Sequence, residues 1–294
     1  MLGNTKPIKF YILGASGFLG SGAAAYLKSQ GHQVFMERLE VADFSALRQK
    51  FKETKPEVVI NFAGVRAYPN IDWCEDHKAE TVRVNVGGAI NAMQAALEVE
   101  AYPIQISSGC IYSGGPEKEF TEEDAPNFFG SFYSRMRVVM QAALKELPVL
   151  QARIRMPLSK FSHPRNLINK ITSYSKVISI PNSVTLIEDL WPVLEKLAVR
   201  QSADRPVGIL NLTNEGYLEH VQILEQYKKI VNPNHSYQII SLEELQGKRG
   251  ITRAERSNCV LSVAKAQSLG LNLPAIGTER LKMIMENFKK SLSA

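Results

Sequence analysis

The sequence predicts an α/β fold, a doubly wound parallel sheet with a smaller interleaved C-terminal substrate domain, and two observations predict it. Apolar runs recur at residues 9–13, 33–36, 57–62, 103–107 and 149–155, and the stretches between them carry helical spacing. Strands buried on both faces read as continuous apolar runs, and their alternation with helices at βαβ spacing is the pattern of a parallel sheet covered on both sides. Ligands of such sheets bind outside the carboxyl ends of the strands.

After Pro157 the pattern loosens into a loop-rich section with helices expected near 166–173, 188–200 and 217–230 and a further strand at 208–213. The first domain is therefore expected to span 1–156, with 186–214 returning to it, and the substrate domain to comprise 157–185 and 215–294. The run 278–290 is amphipathic and expected to pack as a last helix. A chain of 294 residues with 45% hydrophobic content can bury cores of this size.

The composition excludes several classes of function. Thirty-five Lys+Arg against 29 Asp+Glu give a formal charge of +6 with no block of like charge, a bias that suits an anionic small molecule. No basic stripe interleaved with aromatics points to nucleic acid. No run approaches the roughly 18 apolar residues of a membrane span, and no export signal is read before the first strand. Cys74, Cys110 and Cys259 are odd in number and far apart, so neither a disulfide framework nor a metal site is expected, and a cytoplasmic location fits.

The turn after the first strand, Gly14-Ala15-Ser16-Gly17-Phe18-Leu19-Gly20, places glycines where a Rossmann domain turns tightly, approaches a pyrophosphate and packs helix on strand. Helix N-terminal amides then face the anion. The alternative is a purely structural turn. After the second strand, Glu37 and Arg38 stand at the ribose-reading position. An acid there suits a free 2′-hydroxyl and an arginine a 2′-phosphate, so Arg38 tips the expectation to NADP(H), with NAD(H) as the alternative. Two solvated surface charges are the plainer reading.

Ser108 is expected at a strand end, and Tyr133 and Arg137 one helical turn apart on a following helix, hence on one face. A tyrosine beside a cation can exchange a proton with a carbonyl that a serine hydroxyl polarises, although a helical Tyr and Arg also serve simply as core edge and surface. Cys110, two residues past Ser108, shares that strand end, with an inert buried thiol as the alternative.

GASGFLG, the NFAG of Asn61, Ala63 and Gly64, the VNVGG around Asn85, Ser108 and Tyr133 resemble the extended short-chain dehydrogenase/reductases in order and spacing. More narrowly, PNIDWCEDHKAETVRVNVGG, SSGCIY, PNFFGSFYS, RIRMP, HPRNLINKI and IPNS resemble the UDP-4-keto-6-deoxyglucose 3,5-epimerase/4-reductases. Bacterial dTDP-4-dehydrorhamnose reductases are more distantly similar. The narrower resemblance implies a bifunctional enzyme that makes UDP-L-rhamnose with NADPH, with Cys110 and Lys170 as the acid/base pair for C3 and C5. It also implies hydride delivery to C4, with Tyr133 as proton donor and Ser108 polarising the ketone. Cofactor contacts carry over to Asn61, Ala63, Gly64, Asn85, Tyr133 and Arg137. Asn166 and Arg256 follow as substrate contacts, against a helix cap and a surface residue respectively, and His163 as a second candidate acid. A homodimer is expected by the same resemblance.

One departure stands out. The family's Tyr-x-x-x-Lys is Tyr133-Ser134-Arg135-Met136-Arg137 here, which keeps the charge and changes its shape. Arg135 sits about 100° per position off that face and is a poor substitute. Two further readings stay open: an enzyme like the dTDP-4-dehydrorhamnose reductases, acting on a dTDP-linked sugar, and a non-catalytic NADP-binding regulatory subunit.

Overall fold

The computed structural model describes residues 6–65, 70–246 and 250–293. Its central sheet has six strands: β1 (Lys9–Leu13), β2 (Gln33–Phe35), β3 (Val58–Asn61), β4 (Tyr102–Ser108), β5 (Leu150–Ile154) and β6 (Gly208–Asn211). Their spatial order is β2-β1-β3-β4-β5-β6. β1 runs parallel to both β2 and β3, and β3 to β4. After β1 the chain goes to one side of that strand and then returns to the other, so the carboxyl ends of β1 and β3 form the topological switch point.

Apart from the half-exposed edge strand β2, the strands form where the apolar runs were read because both faces are covered. Tyr11 and Leu13 join a cluster with Val59, Ala89, Ala92, Met93 and Ala96. Phe10 and Ile12, fully buried as well, point to the opposite face by the two-residue alternation. The helix Phe18–Ser29 buries Gly20, Ala23, Ala24 and Leu27, a stripe at i, i+3, i+4 and i+7 made of three small residues and a leucine.

The chain divides into two compact units. The first is Met1–Ser108, Phe132–Arg153 and Trp191–Leu210; the second is Gly109–Ser131, Ile154–Leu190 and Asn211–Ala294. The sequence reading kept 109–131 with the first domain, whereas this segment falls in the second unit. There Glu119–Phe120 pairs in parallel with Val260–Leu261, a long-range pairing that no local periodicity announces. The core of the second unit gathers Leu158, Ile168, Ile171, Leu224, Met285 and Phe288.

Helix starts are set by caps. The helix expected from 217 begins at His220, because Leu218 is held in an antiparallel bridge to Asn182 and Glu219 forms a capping box with Gln222. The helix Leu167–Thr172 starts after Asn166. Among the described residues no helix is long and apolar enough to cross a membrane.

Candidate functional site

In the first unit the glycine turn joins β1 to the helix Phe18–Ser29. Gly14 has φ +72, and a Cβ placed on it would lie 2.7 Å from the Ala63 backbone nitrogen; one on Gly20 would lie 2.4 Å from the Gly14 carbonyl oxygen. Both obstacles are backbone, so neither position has room for a side chain. A Cβ on Gly17 would come within 3.2 Å of the same carbonyl. Gly17 is also the N-cap: it has no side chain with which to cap the helix and no acid stands in the first turn, so the positive helix end suits an anion. Ser16 is exposed, and Phe18 and Leu19 are half-buried.

The switch-point loop after β3 is held by a polar ladder. Asn61, fully buried, donates to Gln105 Oε1 (2.8 Å) and accepts the Ala63 N–H at 2.9 Å. Asn85 lies in a π-helical stretch, Arg83–Gly88, and its Oδ1 takes the Val65 N–H at 3.1 Å. Among the described residues, the buried Asn85 Nδ2 has no hydrogen-bond partner, nor has the Arg137 Nε. A Cβ on Gly64 would lie 3.2 Å from Asn85 Oδ1 and 3.6 Å from Arg137 Nη2, so these groups converge on Gly64. Two orphaned donors beside a glycine with crowded surroundings are what a polar ligand would satisfy.

Past β2, the two charges expected at a ribose-reading position are sorted. Glu37 pairs with Lys50 at 2.7 Å, while Arg38 is exposed and makes no ion pair among the described residues. Ser108 ends β4 and is 9% exposed. Tyr133 is the second residue of the helix Phe132–Lys145, whose first N–H is taken by Glu75 Oε1 at 2.6 Å. The Arg137 guanidinium lies over the Tyr133 ring, 5.0 Å from its centroid, whereas Arg135 is turned to Glu75 and the Phe132 ring. Arg137, and not Arg135, therefore accompanies the tyrosine.

In the second unit Cys110 is partly exposed, and the buried Arg155 donates to its sulfur at 3.1 Å. Lys170, on the helix Leu167–Thr172, has its ammonium pushed below the ordinary lysine range. Burial is the main cause, followed by the Arg165 and Arg256 charges; Cys110 acts in the opposite sense. Cys110, Lys170, Arg165 and Arg256 thus share one electrostatic neighbourhood. His163 also has its imidazole pushed down, by burial and then by Arg165.

Asn166 is corrected. It is fully buried, its Oδ1 accepts from Ser159 and Ile168 N–H, and its Nδ2 donates to the Ser159 and Phe161 carbonyls. The side chain is committed to capping the Lys170 helix, so the expected substrate contact gives way to the cap. Arg155 is the residue that sequence reasoning passed over. Its signal was a charge at the end of an apolar strand, in RIRMP, where burial demands partners.

A family model described as the RmlD substrate binding domain matches residues 8–289. A bifunctional dTDP-4-dehydrorhamnose 3,5-epimerase/dTDP-4-dehydrorhamnose reductase of Arabidopsis thaliana is 35% identical over 98% of this chain and 96% of its own. A trifunctional UDP-glucose 4,6-dehydratase/UDP-4-keto-6-deoxy-D-glucose 3,5-epimerase/UDP-4-keto-L-rhamnose-reductase of the same plant is 35% identical over 98% of this chain; this chain spans only 44% of that relative's length. The crystal structure of a UDP-rhamnose synthase from Acanthamoeba polyphaga mimivirus is similar with a TM-score of 0.87 and 32% identity, covering 96% of this chain and all of the other. A dTDP-4-dehydrorhamnose reductase from Bacillus anthracis, in complex with NADP, shares the fold at a TM-score of 0.79 and 18% identity, over 96% of this chain and 99% of that one.

Proposed function

The chain belongs to the RmlD substrate-binding domain family, and from that premise we propose that it is a nucleotide-sugar 3,5-epimerase/4-reductase that converts UDP-4-keto-6-deoxy-D-glucose to UDP-L-rhamnose with NADPH. One observation carries the epimerase half: the Arg155 guanidinium on the Cys110 sulfur, in the same neighbourhood as the depressed Lys170 ammonium. A plain 4-reductase has no use for that pair. Identity over nearly the whole chain with plant epimerase/reductases supports it.

The cofactor site fits a dinucleotide, because Gly14 and Gly20 have no room for a Cβ and the buried Asn85 Nδ2 and Arg137 Nε have no partner among the described residues. Gly14, Ser16, Gly17, Phe18, Leu19 and Gly20 would hold the pyrophosphate, Arg38 the 2′-phosphate, and Asn61, Ala63, Gly64, Asn85, Tyr133 and Arg137 the remainder. When bound, NADPH supplies the hydride that reduces C4.

The protein's own groups do the rest. The C4 ketone acidifies the hydrogens at C3 and C5, so the proposal assigns Cys110 to take a proton and Lys170 to return one on the other face. The lowered Lys170 ammonium gives its proton up more readily than an exposed lysine does. Each inversion leaves the sulfur protonated and the amine neutral, and both then exchange protons with solvent. Ser108 polarises the C4 oxygen and Tyr133 protonates it, with the Arg137 charge over the tyrosine ring. Arg256 is assigned to the diphosphate, which an arginine fork suits.

Purified protein, this substrate and NADPH test the proposal. Oxidation of NADPH with formation of UDP-L-rhamnose is expected; an unchanged cofactor and an unchanged sugar overturn it. The dTDP-linked sugar, run in parallel, decides between the two bases. The arginine in place of the family lysine favours one rival, a cofactor-binding regulatory subunit, which predicts NADPH binding with no proton exchange at C3 or C5.

A further inference from the structure

Arg155 is held more firmly than a surface-seeking side chain would be. It is 2% exposed, its Nε donates to Asn182 Oδ1 at 3.1 Å, and its Nη1 donates to Ser257 Oγ at 2.8 Å as well as to the Cys110 sulfur. The Nη2 donates to Asn182 Oδ1 and to the Ser257 carbonyl. Asn182 is itself fixed: its backbone bridges to Leu218, and its side chain donates to the Ile180 carbonyl and to Asn258. Its Oδ1 also receives the Cys259 N–H at 3.1 Å.

The residue before the cysteine completes the arrangement. A Cβ on Gly109 would lie 3.2 Å from Arg155 Cδ and 2.8 Å from Leu261 Cδ1. Glycine there gives the arginine stem its passage to the sulfur. Three segments remote in sequence, at Gly109–Cys110, Asn182 and Ser257, are thus brought together by one guanidinium. A plain structural arginine would be served by the Asn182 and Ser257 bonds alone, whereas a donor aimed at a partly exposed sulfur serves that sulfur's reactivity.

We infer that Arg155 is a positioning residue for Cys110: it fixes the sulfur and supports negative charge on it, as the proton removal assigned to Cys110 above requires. The assignment of proton removal rests on the epimerase reading above, while the effect of Arg155 on the sulfur does not. The two are therefore tested by different readouts.

The substrate-free test follows alkylation of Cys110 by iodoacetamide as a function of pH, with the modified peptide identified by mass; Cys74 and Cys259 are fully buried and serve as internal controls. In Arg155→Met, which keeps the length of the side chain, Cys110 alkylation at neutral pH is expected to slow by about tenfold, with its profile moved to higher pH. Arg155→Lys recovers part of the loss because it restores a charge and not the fork. Equal rates and profiles in wild type and Arg155→Met overturn the inference. If Arg155→Met shows no cooperative thermal unfolding, Ser257→Ala decides, since it removes one anchor of the same nitrogen: slower alkylation supports the inference and an unchanged rate overturns it. An alkylation effect in a protein whose wild type catalyses no C3 or C5 exchange would leave the positioning role standing and sink the epimerase reading.

Discussion

Substituting alanine for Gly20 isolates the space that the glycine turn provides. A Cβ at this position would lie 2.4 Å from the Gly14 carbonyl oxygen, 2.8 Å from its carbon and 3.0 Å from Ala15 Cα. All three are backbone atoms, so no side chain can swing aside and the helix Phe18–Ser29 must back away from the turn by about 1 Å to restore ordinary contact. Overpacking of this kind costs about 1–3 kcal/mol. If the displacement is borne by the anion site at the helix N-terminus, NADPH affinity falls by about 5- to 150-fold. A fluorescence titration of NADPH together with thermal unfolding measures both consequences. Gly31→Ala is the control: Gly31 has φ +85 but nothing within 4 Å of an added Cβ, so it incurs only the left-handed strain of about 1–2 kcal/mol. That control should lower the melting temperature and leave NADPH affinity alone. An affinity in Gly20→Ala within twofold of wild type, with an unchanged melting temperature, would refute the reasoning.

Three further outcomes follow from the site. Cys110→Ser abolishes solvent deuterium incorporation at C3 and C5 while NADPH affinity stays within twofold, as exchange and titration will report. Arg137→Lys restores the Tyr-x-x-x-Lys spacing and removes the guanidinium from above the Tyr133 ring; single-turnover oxidation of NADPH is expected to accelerate, and a slower rate would mark arginine as the adapted residue. For pH, the His220 imidazole is pushed down to about 4, by burial first and then by the Arg155 charge, against a carbonyl contact at Ile178. The unfolded chain takes up this proton near 6.5 and the folded one only near 4, so stability falls as pH drops through that window, by at most about 3 kcal/mol. His220→Asn should flatten the corresponding slope in acid unfolding curves.

How far the sequence carried differs between the two units. β1 was read at its observed bounds because a strand buried on both faces is a local apolar run, and the half-exposed edge strand β2 was read to within a residue. The glycine turn was equally legible, since steric need for glycine is a property of one short segment. Asn166 shows the intermediate case: its capping geometry is local, and the cap was one of the two readings its position allowed. The 109–131 segment and the Arg155 cluster were not legible. Pairing of Glu119–Phe120 with Val260–Leu261, and the meeting of Arg155 with Asn182 and Ser257, join residues far apart in the chain through two-residue strands and single side chains. Such contacts leave no periodicity; the only local trace was a charge ending a strand that should have been apolar.

The central claim is that proton exchange at two carbons accompanies hydride transfer to the carbon between them, with Cys110 and Lys170 supplying the first and the glycine-turn unit the second. The most direct measurement is proton NMR of the sugar nucleotide formed from UDP-4-keto-6-deoxy-D-glucose and unlabelled NADPH in heavy water. The account predicts UDP-L-rhamnose with deuterium at C3 and C5 and protium at C4. A reduced sugar that keeps protium at C3 and C5 would contradict it.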